Sequence, residues 1–101
     1  MDTKQLITEA KARFNHNSAK IYLKDKYESK LSVADQGGLW IANIELISFL
    51  SSINQDRLVV LDIYGNPVKV NRVELLTKLE KTYHYVMDQW HTEWASLEKK
   101  R

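Results

Sequence analysis

The chain has 101 residues, 44% of them hydrophobic, a formal net charge of +2 and no cysteine. That length suits one domain with its own core, and the lack of cysteine excludes disulfides and thiolate metal sites. Residues 1–30 hold seven Lys/Arg against four acids, residues 31–71 two against four, and residues 72–101 six against five. No segment is the clustered basic stripe of a dedicated nucleic-acid binder.

The start, MDTKQLITEAKARF, has an acid at position 2 and no apolar core of a signal peptide. Residues 3–14 read as a helix with Leu6, Ile7, Ala10 and Phe14 on one face and Thr3 as its cap. NHNS at 15–18 reads as a break, because these side chains compete for backbone hydrogen bonds. From Ala19 the apolar period falls to two, Ile21 with Leu23 and Leu31 with Val33, which predicts a hairpin around KYES. DQGG at 35–38 is a turn or bulge, and LWIAN a short third strand. Asn43 caps a short, largely buried helix, IELISFLSSI. The longest apolar-rich run, LWIANIELISFLSSI, is too short to span a bilayer and contains Asn43 and Glu45, so a soluble, cytoplasmic protein is expected.

RLVVLDIY reads as the strongest strand, apolar on both faces and therefore central in its sheet. YGNP turns it into VKV, with Gly65 and Asn66 tolerating positive φ. Asn71 and Glu74 have capping-box spacing ahead of a helix over about 72–98. The expected fold is α+β, an antiparallel sheet of four to five strands against a long C-terminal helix, in the order α-β-β-(β)-α-β-β-α and as a single domain, 1–101.

On that last helix Leu76, Leu79, Tyr83, Val86, Trp90, Trp94 and Leu97 recur at spacings of three and four. Its first half reads as core. A helix of this length is roughly 40 Å long and outruns a domain whose radius of gyration is roughly 13 Å. The far end is therefore expected to project and, because exposed tryptophans need covering, to meet a second copy or another protein. Tyr83, Met87, Trp90, Trp94 and Leu97 are the candidate contact residues, and no membrane partner is expected.

Two further readings compete. His84, Asp88 and His91 fall on one helical face, a spacing that could hold a divalent ion, but no HExxH motif accompanies them and a solvated face is the simpler account. No metal or other cofactor is expected. Lys20, Tyr22, Lys24, Lys26 and Lys30, with Tyr27 and Trp40 nearby, could form a basic stacking platform for nucleic acid on the predicted hairpin. Asp25 and Glu28 interrupt it, and lysines also protect strand edges. Catalysis lacks a G-x-S-x-G elbow, a cysteine nucleophile and a phosphate-binding glycine pattern. Asp62 is the one carboxylate whose burial in an apolar strand could raise its pKa, and a turn role is its ordinary alternative. The expectation is a non-enzyme.

GGLWIANIELISFL and LDIYGNPVKVNRVELLTKLEKTYHYVMDQWHTEW together resemble small uncharacterised proteins of tailed bacteriophages, over about residues 37–94. The shared features are structural: strand, GNP turn, capped helix. The resemblance implies a virion component, an assembly factor or a modulator of a host protein, found in the host cytoplasm or the virion and acting by binding, while an oligomer is expected from the projecting helix end. It carries no site residues across.

Overall fold

In the computed structural model the backbone is described for residues 3–99. The four terminal residues and the side chains of residues 4–14, with the Leu6, Ile7, Ala10 and Phe14 stripe, lie outside the described set. The order is α1 (Thr3–Ser29), β1 (Ser32–Asp35), β2 (Gly38–Ile41), α2 (Ile44–Ser52), β3 (Arg57–Leu61), β4 (Pro67–Asn71) and α3 (Arg72–Lys99).

This is an α+β fold, but its strands do not make one sheet of four or five. They form two separate antiparallel hairpins, β1–β2 and β3–β4. β3 is therefore not a central strand: among the described residues its ladder partner is β4 alone. The second correction is α1, which runs unbroken through residues 15–18, so the hairpin expected from Ala19 is absent. Leu23 and Tyr27, four residues apart, are buried, whereas Ile21 is exposed. The burial period is that of a helix, not a strand. An Asn or Ser inside a helix costs about 0.5 kcal/mol, less than the roughly 1.5–3 kcal/mol from burying one large apolar side chain.

The β1–β2 turn needs both residues of its centre at positive φ, Gln36 at 51° and Gly37 at 82°. Gly38 serves a different end. A Cβ there would sit 2.6 Å from the Trp40 ring. That indole packs close against the glycine, donates from Nε1 to the Asp35 carbonyl at 2.9 Å, and is 1% exposed. Trp40 is thus a core residue and offers no stacking surface.

The two hairpins are joined by side chains and by one backbone bond, from Ile63 N–H to the Leu39 carbonyl. Gln36 Oε1 accepts from the Asn71 N–H at 2.7 Å and its Nε2 donates to the Asn71 carbonyl at 3.3 Å, so one amide stands in for a strand residue beside β4. At the other hairpin the loop is Ile63-Tyr64-Gly65, with Gly65 at φ 78° and Asp62 N–H donating to the Asn66 carbonyl. Only Gly65 needs positive φ there, not Asn66.

α2 begins at Asn43, whose Oδ1 accepts from Leu46 N–H at 2.8 Å. α3 begins at Asn71, whose Oδ1 accepts from Glu74 N–H at 3.1 Å. Arg72 then ties these elements by donating to the carbonyls of Gln55 and Leu50. One core cluster runs from Trp40, Leu50, Val70, Leu75 and Leu79 to Val86, Tyr27 and Leu23. The molecule is long, 65 × 24 × 20 Å with a radius of gyration of 19.4 Å, against about 13 Å for a compact chain of this length. No described helix is long and apolar enough to cross a membrane.

Candidate functional site

The far half of α3 does not project bare, because α1 packs along it in the opposite direction. Tyr27 stacks on Trp90 with ring centroids 6.1 Å apart and planes 11° apart. One turn on, Glu93 accepts from Lys26 Nζ at 2.8 Å and from the Tyr27 hydroxyl. Further along, Lys20 Nζ lies 3.0 Å from Glu98 Oε1, and His16 Nε2 lies 3.3 Å from the same oxygen. Counting up α1 means counting down α3, so the two helices form an antiparallel arm.

Charge follows geometry at the Glu93 junction. The Lys26 ammonium, followed by the Tyr27 hydroxyl, holds the Glu93 carboxyl below its ordinary range. The hydrogen bond to Glu93, followed by desolvation, pushes the Tyr27 phenol up, and the same carboxylate raises Lys26. Lys26 and Lys30 also stand 5.2 and 5.0 Å from the centre of the Tyr27 ring. Glu98 is likewise lowered, first by Lys20.

The five candidate contact residues share one α3 stripe but not one environment. Trp90, Leu97 and Tyr83 pack against the core cluster while half-buried, and Met87 is also half-buried. Trp94 is the outward member, 42% exposed, with His91 stacked beside it at 6.0 Å. Sequence reasoning put Trp90 and Trp94 together on a bare end. It missed the partner of Trp90, Tyr27, for which the Leu23–Tyr27 spacing in a continuous helix was the available signal.

The basic candidates lie along α1 and the turn after it. Lys20 meets Glu98, Lys24 lies 3.9 Å from Glu28, and Lys26 meets Glu93. Tyr22 is exposed, whereas Tyr27 is buried, so the aromatics and cations do not form one platform. His84 packs edge-on to Tyr83, and His91 lies against Trp94. With Asp88 they do not converge: among the described residues no group of three His, Asp or Glu side chains is arranged to hold a metal ion.

Asp62 is held below the ordinary carboxylate range, not raised, first by the Asn66 N–H and also by those of Leu39 and Tyr64. It organises a loop. A groove of about 430 Å³ lies where the end of α1 meets α3, between Tyr27, Lys30, Tyr85, Asp88 and Glu93. It is open to solvent, and its Glu93 is already engaged by Lys26 and Tyr27. No family model, curated protein or solved structure matches this chain.

Proposed function

We propose that the protein is a non-enzymatic interaction factor that works by protein–protein contact on the α1–α3 arm. The observation that carries this reading is Trp94. Its neighbour Trp90 is consumed by Tyr27 within the chain, whereas Trp94 remains 42% exposed at the flank of the arm. A rigid aromatic on a helix that is already ordered loses little entropy on binding, which suits an interface anchor. Met87 and Tyr83 lie about two and three turns back from Trp94 along the same stripe and complete the surface, with Trp90 and Leu97 supporting it from beneath.

A second copy is the first partner to test, and a host protein is the alternative. A role as a virion-associated or assembly protein of a phage rests on the resemblance over residues 37–94 alone. Nucleic-acid binding through Lys20, Lys24 and Lys26 has less support, because each has an intrachain carboxylate.

The test is a pair of variants read by light scattering and thermal melting. Trp94→Ala is expected to weaken assembly with its midpoint nearly unchanged. Trp90→Ala is expected to lower the midpoint. Equal melting losses in the two variants would make Trp94 a packing residue and remove the reading's main support.

A further inference from the structure

The outer side of the β3–β4 hairpin carries a second feature, separate from the arm. Asp62 N–H donates to the Asn66 carbonyl and Arg72 N–H to the Asp56 carbonyl, so even-numbered residues of β3 are the ones bonded to β4. The N–H and C=O groups of Arg57, Val59 and Leu61 therefore point to the opposite edge. No described hydrogen bond reaches that edge within β3. Ile63, just past the strand, has its N–H on the Leu39 carbonyl.

The two edges of this hairpin are treated differently. β4 opens with Pro67, carries Lys69 opposite Val59, and has its end at Asn71 occupied by the Gln36 amide. Those are the usual protections against stray pairing. β3 instead presents Val59 and Leu61, 59% and 65% exposed, with an open backbone edge beside them.

Alternation puts Arg57, Val59 and Leu61 of β3 and Pro67, Lys69 and Asn71 of β4 on the outer face. Two of these six are cations and none is acidic. Arg57 and Lys69 are exposed, and no described ion pair uses either.

We propose that the β3 edge is a strand-addition site for an extended protein segment carrying acidic and apolar residues on its outward face. Only an extended backbone can supply donors and acceptors at the spacing of Arg57, Val59 and Leu61. Apolar residues would lie beside Leu61 and Val59, and an acid beside Arg57, with Lys69 one strand further across adding to the same positive face. The charge of the face selects against a second copy, which would bring two more cations and no acid to it.

The experiment uses the full chain, labelled with nitrogen-15, and a capped peptide, Thr-Val-Thr-Val-Thr-Glu-Thr, alongside its Lys-for-Glu version. The amides of Val59 and Leu61 should shift and exchange more slowly on titration, while those of Leu58 and Val60 change little. The lysine peptide should bind about tenfold more weakly, as one lost charge pair would imply. Val59→Pro removes an N–H that the β4 ladder does not use, so binding should vanish from a folded protein. Should that variant unfold, Arg57→Glu with Lys69→Glu leaves the backbone intact and should reverse the preference between the peptides.

Unmoved Val59 and Leu61 amides at millimolar peptide would overturn the proposal. So would equal affinity for both peptides. Concentration-dependent protection of Val59 in the protein alone would also overturn it, by giving the edge to a second copy.

Discussion

Glu93 shows how much of the arm depends on single side chains. It binds Lys26 and the Tyr27 hydroxyl at once, and its pKa is depressed as a result. A depressed carboxylate contributes stability that is complete above its ordinary value of 4.5 and is lost as pH falls through the folded value. Glu98 behaves in the same sense. Acidification below about pH 4.5 should therefore loosen α1 from α3, seen as a change in tryptophan emission as Trp90 leaves Tyr27. Glu93→Gln should remove part of that acid response, and an unaltered titration would contradict the assignment. The tryptophans differ in the same way: Trp90→Ala should cost about 2 kcal/mol, less than a fully buried ring, and Trp94→Ala within about 0.5 kcal/mol.

The hairpin junctions make two predictions about elements. Gln36→Ala strips both partners from the Asn71 backbone and should cost about 1–3 kcal/mol, with faster exchange of the Asn71 amide. Gly38→Ala forces Trp40 to move and should cost about 1–3 kcal/mol, measurable by denaturant titration. Elements with local signals were legible in the sequence. Asn43 and Asn71 announce their helices because capping is a contact over three residues, and Gly65 announces its hairpin because few residues accept its φ. What was not legible depended on distant contacts. The Asn15–Ser18 run looks like a break until α3 is present to bury Leu23 and Tyr27, and Lys20, Lys24 and Lys26 look like free cations until Glu98, Glu28 and Glu93 are placed. β3 read as central because both its faces are apolar, yet its outer face is exposed. The candidate site was half legible: the stripe was visible, but its division between Trp90 and Trp94 was set by α1.

The molecule as a whole is an arm joined to a small α+β body, and this shape decides which tests are informative. Removing residues 89–101 would take away Trp90 and Glu93 and bare Tyr27, so a point change at Trp94 is the cleaner probe of association. The most direct measurement is the light-scattering mass of the wild-type chain and Trp94→Ala across a dilution series, with thermal midpoints taken on the same samples. Self-association through Trp94 should give a wild-type mass above the monomer that falls to the monomer in Trp94→Ala, with the two midpoints nearly equal. A wild-type monomer at every concentration would contradict self-association through this surface, and a collapsed midpoint for Trp94→Ala would contradict the surface itself.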